Sequence, residues 1–369
     1  MRFHDFYTSW NTKKLSEYAL FLQGLTYHPQ DVSSSGSLVL RSSNIQNSKL
    51  CFDDNVYVRP EIIPQRINTK TNDVLMCVRN GSKALVGKTA LITSQYEGLA
   101  WGAFMNIIRP KFPNNLLYHY LNSPYFKNQV FADLDTATVK QITMQTLNRV
   151  KIAIPSLPEQ EKIAAFLSLV DARIEKQRQL VEALKKYKRG VKSCIFSQHS
   201  SWNRDTADKL AHIATGSSNT QDSVADGKFP FFIRSANVAR SNKYIFDGEA
   251  VLTIGDGQIG KVFHYINGKF DCHQRVYMIT DFRKISGRYF YHFFSTFFYE
   301  RAMKMSAKNT VDSVRMEMIA KMPIYYPSQE QQNKIVSLLD ALDTKIMDEH
   351  QEQEKLELVK KGLLQQMFI

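Results

Sequence analysis

The stretch that decides the reading runs Pro155-Ser156-Leu157-Pro158-Glu159-Gln160-Glu161-Lys162-Ile163, and it is written again as Pro327-Ser328-Gln329-Glu330-Gln331-Gln332-Asn333-Lys334-Ile335. At a fixed offset of 172 and without a gap, residues 155–197 and 327–369 share fourteen of 43 positions. Among them are Ile163/Ile335, Leu167/Leu339, Asp171/Asp343, Ile174/Ile346, Leu184/Leu356, Lys188/Lys360, Gly190/Gly362 and Phe196/Phe368. An internal repeat of this kind means one structural job done twice.

Both copies read as long helices. Apolar residues alternate at spacings of four and three, which is a heptad seam. Ile163, Leu167, Val170, Ile174 and Leu184 carry it in the first copy, and Ile335, Leu339, Leu342, Ile346 and Leu356 in the second. Pro155 and Pro158, and Pro327, suit helix entry. Gln177, Glu349 and Gln353 interrupt the stripe and help to fix its register. A lone helix with one apolar stripe needs a partner, and the matched stripe is the other copy. About 38 residues at 1.5 Å each make a rod of roughly 57 Å.

Outward from these helices, each half opens with a more divergent block. Trp10-Asn11 and Trp202-Asn203 begin the blocks. Val74-Leu75 followed by Gly87-Lys88 echoes Val251-Leu252 followed by Gly260-Lys261, and Tyr118-His119 echoes Tyr291-His292. Short β-rich runs are expected at 56–58, 73–78, 89–93, 249–254 and 261–266. Helices with aromatic faces are expected over 113–131 and 286–305, with Tyr289 to Phe294 forming core. The fold class is therefore α+β: two similar mixed domains separated by two long antiparallel coiled-coil helices, with a pseudo-twofold repeat. The expected division is 1–157, first domain; 158–199, central helix; 200–327, second domain; and 328–369, C-terminal helix.

The chain is basic, with a net charge of +13 over 369 residues. The two blocks carry +7 (1–157) and +5 (200–326), the central segment 158–199 carries +4, and 327–369 carries −3. Two basic globular blocks fit an anionic partner, nucleic acid being the commonest. Cys51, Cys77, Cys194 and Cys272 have neither disulfide-framework nor zinc-finger spacing. The N-terminus has no apolar signal core, so a cytoplasmic protein is expected.

Several motifs point elsewhere and fail. Gly255-Asp256-Gly257-Gln258-Ile259-Gly260 matches the dinucleotide fingerprint, but a strand-like run follows where a helix is needed. Gly81 and Gly87 are one residue too far apart for a P-loop. No metal-ligand set, G-x-S-x-G nucleophile elbow or amino-methyltransferase tetrapeptide is present. Neither catalysis nor metal binding is expected of this chain.

Residues that could read DNA occur in matched settings. Arg41-Ser42-Ser43-Asn44 and Arg234-Ser235-Ala236-Asn237 are the most specific pair, since Arg suits guanine and Asn suits adenine. The alternative for this motif is a turn with a capping Asn. Arg79, Asn80, Lys83 and Lys88 follow in the first half, with Gln258, Lys261, His273, Gln274 and Arg275 in the second. Lys140, and Lys308-Asn309-Thr310, precede the long helices.

With these residues on the page, the chain resembles the specificity subunits of Type I restriction-modification systems. The two helix starts, the openings at Trp10 and Trp202, Gly24 and Gly216, and the Arg-Ser-x-Asn stretches carry the likeness, which extends over essentially the whole chain. The second helix lacks a proline at the place of Pro158, so its entry can differ. The resemblance implies one target recognition domain per half of a split, asymmetric double-stranded DNA site. It also implies docking of modification (methyltransferase) subunits, two of them, with restriction subunits able to join. S-adenosylmethionine, ATP and Mg would belong to those partners. Two other readings stay open: a coiled-coil scaffold whose domains bind protein, and a DNA methyltransferase with unrecognised motifs.

Overall fold

The computed structural model describes residues 3–368 except 113, 137–139 and 307–312, with no side-chain description for 133–136 and 306. The chain forms two compact units, Met1–Arg178 with Gln351–Ile369, and Gln179–His350. The units do not follow the repeat boundaries. Each combines one divergent block with a stretch of both long helices, because each helix gives its apolar stripe to more than one partner.

The long helices run Leu157–Ser197 and Gln329–Met367. In the first unit Ile163, Ala164 and Leu167 share a core with Leu364, Met367 and Phe368. The ion pairs Asp171–Lys360 and Arg178–Glu357 step up one helix and down the other, so the segments are antiparallel. In the second unit Phe196 and Leu339 share a core, with Val191, Ile195, Ile335, Val336 and Leu342 packed against it, and Lys188 pairs with Asp343. The seam residues are buried or half-buried throughout, including Val170, Ile174, Leu184, Ile346 and Leu356. The polar interruptions at Gln177, Glu349 and Gln353 are half-buried too. Gly190 and Gly362 lie inside continuous helix with nothing within 4 Å of an added Cβ, so neither marks a kink or a close contact.

In the first unit a four-stranded antiparallel sheet orders Ala19–Gln23, Met105–Pro110, Val74–Cys77 and Thr89–Leu91. A second four-stranded sheet holds Ser37–Leu40 parallel to Ala100–Trp101. In the second unit six strands order His212–Thr215, Val276–Thr280, Phe246–Ile254, Phe263–Cys272, Phe229–Phe232 and Val238–Ser241. There Phe229–Phe232 runs parallel to Phe263–Cys272, repeating the parallel step of the first unit inside one continuous sheet. A two-stranded ribbon closes each block: Asn11–Lys14 with Lys151–Ile154, and Asn203–Thr206 with Pro323–Tyr326.

The repeat also explains two glycines. A Cβ at Gly24 would sit 2.1 Å from the Gly102 carbonyl oxygen, and one at Gly216 2.0 Å from that of Cys272. In each unit the chain crosses the end of the parallel step at this point, and only glycine lets the backbones approach so closely.

One expectation is corrected. The helix expected over 113–131 is two helices, Leu116–Leu121 and Pro124–Thr136. Pro124 lacks the N–H that continuation needs and pushes Ser123 out of helical geometry. Its counterpart is one helix, Gly287–Ser306, whose Tyr289, Phe290, Phe293 and Phe294 are buried. The glycine-rich run at 255–260 joins antiparallel strands ending at Ile254 and beginning at Phe263, so no helix opens there.

Candidate nucleic-acid interface

Three loops come together at the same place in each block. In the first unit they follow Ser37–Leu40, Val74–Cys77 and Ala100–Trp101. Arg41 leaves the first strand and pairs with Asp54 at 2.8 Å. The Ser42 hydroxyl accepts from Asn80 Nδ2 at 3.1 Å, tying the first loop to the second. The Arg79 guanidinium lies over the Phe104 ring, 5.3 Å from its centroid, tying the second to the third. Phe104 is 56% exposed, with the guanidinium over its open face. Tyr27, Arg41, Ser42, Asp54 and Phe104 line a cavity of about 500 Å³.

The second unit repeats the construction with different side chains. The loops follow Phe229–Phe232, Phe246–Ile254 and Phe263–Cys272. Arg234 and Arg275 converge on the Asp256 carboxylate at 3.2 and 3.7 Å. Gln274 donates to Asn219 Oδ1 at 2.7 Å. Ser235 Oγ accepts the Asn237 N–H in a tight turn and leaves Asn237 exposed. Both guanidiniums share the Asp256 carboxylate while remaining about half or more exposed to solvent.

Two expected readers are structural instead. Asn44 is fully buried; its Oδ1 accepts the Arg41 N–H, and its amide donates to the carbonyls of Cys51 and Asp54. It caps the turn that presents Arg41, and the same letters at 234–237 make a different turn. His273 is also buried, and its Nδ1 accepts the Arg275 N–H at 3.0 Å. Burial first, then the neighbouring Arg234, lowers its pKa, so it stays neutral as a hydrogen-bond acceptor near pH 7.

The remaining candidates lie elsewhere. Lys83 and Lys88 are exposed and line a separate cavity with Asn122, Lys127 and Phe131. Lys261 stands over Tyr299 at 5.5 Å, and Gln258 is exposed at the loop tip. Lys140 adjoins Gln141, which bridges to Arg79. Lys308, Asn309 and Thr310 lie outside the described residues. Tyr27 and Phe104 belong to the first loop face without standing out in the sequence, because nothing in their spacing separates an exposed aromatic from a core one; Asp256 lies in the loop that the sequence already offers with Gln258.

Two of the cysteines, Cys77 and Cys272, are buried. Burial pushes the Cys77 thiol up to about 11 and Cys272 up to about 12, the wrong direction for a nucleophile. Among the described residues, His292, Asp340 and Asp343 form the one group close enough to hold a metal. Arg288 and Lys188 already occupy its carboxylates.

Comparison with known proteins agrees with this architecture. The family model described as the Type I restriction modification DNA specificity domain matches twice, at residues 9–186 and 201–358. The chain belongs to that family. It is 27% identical to the Type I restriction enzyme StySPI specificity subunit of Salmonella potsdam over 198 residues, covering 51% of this chain and 42% of that one. It is 25% identical over 192 residues to the EcoKI specificity subunit of Escherichia coli strain K12, covering 49% and 41%. The matches thus span less than half the length of these relatives. The fold is that of the Type I restriction-modification S subunit from M. genitalium: TM-score 0.63, 15% identity, 98% of this chain and 96% of that one. A chain from a structural study of complex assembly in the type I R-M system matches with TM-score 0.59 and 16% identity, over 96% of each chain.

Proposed function

We propose that this chain is the non-catalytic specificity subunit of a Type I restriction-modification assembly, each unit reading one half of a split double-stranded DNA site. The observation that carries this is the loop triad, built at the same strand ends in both units from different side chains. One scaffold with two different reading surfaces is what an asymmetric bipartite site requires. Exposed arginines supply phosphate affinity and guanine readout, and Asp256 can accept from cytosine N4. The length of the long helices sets the number of unread base pairs between the half-sites. Roughly 60 Å of helix exceeds the 34–36 Å of one DNA turn.

In this reading two modification subunits dock on the chain in the cytoplasm, and restriction subunits can join. S-adenosylmethionine, ATP and Mg act in those partners, not here. No helix among the described residues is long and apolar enough to cross a membrane. The isolated chain should shift duplex DNA in a gel with an affinity that falls steeply with salt, and should turn over no S-adenosylmethionine. Salt-independent binding, or binding to protein alone, would favour the scaffold reading; methyl transfer by the isolated chain would favour a hidden methyltransferase.

A further inference from the structure

Backbone register shows which loop residues of the two units are counterparts. Leu40 and Phe232 end the strands of the parallel step, paired with Trp101 and Cys272. Their carbonyls accept the N–H of Gly102 and of His273. Val78 and Gly255 leave the central strands, and their N–H groups donate to the carbonyls of Phe104 and Arg275. Their own carbonyls accept from the N–H of Ile142 and of Val314. One residue further on, Arg79 bridges to Gln141 and Asp256 to Ser313. These bonds fix three equivalences: Ser42 with Arg234, Arg79 with Asp256, and Phe104 with Arg275. The two Arg-Ser-x-Asn stretches are therefore one residue out of step, and Arg41 corresponds to Ile233 rather than to Arg234.

In each unit the middle loop meets the other two, but the chemistry is exchanged. The first unit has an arginine in the middle: Arg79 lies over Phe104, and its neighbour Asn80 donates to Ser42 at 3.1 Å. The second unit has a carboxylate in the middle, with Arg234 and Arg275 on either side of it at 3.2 and 3.7 Å. Ser-Arg-Phe and Arg-Asp-Arg each carry one net positive charge. Attraction to phosphate is thus matched between the trios, and they differ in what they can do at a base edge.

We propose that these three positions decide the base choice of each half-site, an inference that rests on each unit being a half-site reader. In the first unit Arg79 donates to guanine O6 and N7, and the exposed Phe104 ring meets a thymine methyl. In the second, Arg234 and Arg275 take two guanines with the N–H groups that Asp256 leaves over. Asp256 is there a positioning residue, since it holds two like charges together on one carboxylate.

The test transplants one trio into the other unit. The full chain carrying Ser42→Arg, Arg79→Asp and Phe104→Arg is expressed with its modification subunit, and methylated adenines are mapped. The first half-site should exchange its guanine and thymine for two guanines, with the second half unchanged. The salt dependence of duplex binding should also stay unchanged, because the net charge does. The reciprocal transplant, Arg234→Ser with Asp256→Arg and Arg275→Phe, should convert the second half only. Two milder variants decide where a transplant leaves no methylation, since Arg275 and Phe104 are 61% and 56% exposed. Arg275→Phe should lower the preference for one guanine of the second half about tenfold. Replacing thymine by uracil in the first half should weaken binding by the unaltered chain and leave binding by Phe104→Ala as it was. Half-sites that these variants leave intact, or a single transplant that changes both halves, overturn the proposal while the split motif of the unaltered chain upholds the half-site reading. A continuous motif in the unaltered chain overturns both.

Discussion

Asp171 pairs with Lys360 in the first unit, and their repeat counterparts, Asp343 and Lys188, pair in the second. The offset of 172 maps each partner of one bridge onto a partner of the other, with the helices exchanged. Each Asp therefore meets the Lys of the opposite repeat. An antiparallel pair of near-copies produces this arrangement, and helices folded back on their own blocks would not.

The first bridge is largely shielded: Lys360 is 17% and Asp171 28% exposed. Asp171→Asn leaves a partly buried ammonium unpaired and should cost about 1–3 kcal/mol. Asp171→Asn combined with Lys360→Met should recover most of that loss. Urea unfolding of the two single variants and the double variant checks the coupling. Simple additivity would mean that the bridge contributes nothing.

Gly190 and Gly362 sit in helix interiors with open space at the Cβ position. Alanine at either site should raise stability by about 0.5–1 kcal/mol. Gly24→Ala and Gly216→Ala should do the opposite and more strongly, because the added methyl meets a backbone carbonyl. Thermal melts of the four variants separate the two classes; a destabilising Gly190→Ala would contradict the packing described.

The buried histidines set a pH window. Burial first lowers the pKa of His119 to about 3 and that of His292 to about 4, against 6.5 unfolded. At His292 the Asp340 bond opposes this, while Lys192 and Lys188 add to it. A depressed histidine pKa means that the unfolded state binds the proton first. Stability from these groups is complete above about pH 7 and falls from pH 6.5 down toward pH 4. His292→Gln should flatten part of that slope in denaturation curves taken between pH 7 and 4. An unchanged slope would show that His292 titrates in the fold as it does in the unfolded chain.

Arg79→Ala and Arg234→Ala should each weaken duplex binding roughly tenfold or more, the scale of one good base or phosphate contact. Asn44→Ala should weaken binding only by loosening the turn that holds Arg41, and therefore with a loss of stability that Arg234→Ala does not show. Salt-dependent fluorescence anisotropy together with melting curves distinguishes reader from cap.

Most of the architecture was legible because the repeat is strongest where the physics is simplest. Ile163, Leu167 and Leu339 recur at heptad spacing because each enters a core shared by its own block and the end of the other long helix, and that constraint shows in one dimension. The break at Pro124 was missed because the aromatic periodicity of 116–131 continues through it. The loop faces were half legible. Arg41 and Arg234 stand out by composition, but whether the neighbouring Asn reads outward or caps inward depends on turn geometry: Asn44 is buried and Asn237 exposed. Phe104 carries no signal of its own in the sequence, since it acquires its place against Arg79 from a loop distant in sequence.

The central claim is that each unit reads its own half-site. Mapping methylated adenines in DNA from cells carrying this chain with its modification partner tests it most directly, alongside variants at Arg79 and at Arg234. The account predicts a split motif with a fixed gap, in which the Arg79 variant alters one half only and the Arg234 variant the other. A continuous motif, or a single substitution that alters both halves, would contradict it.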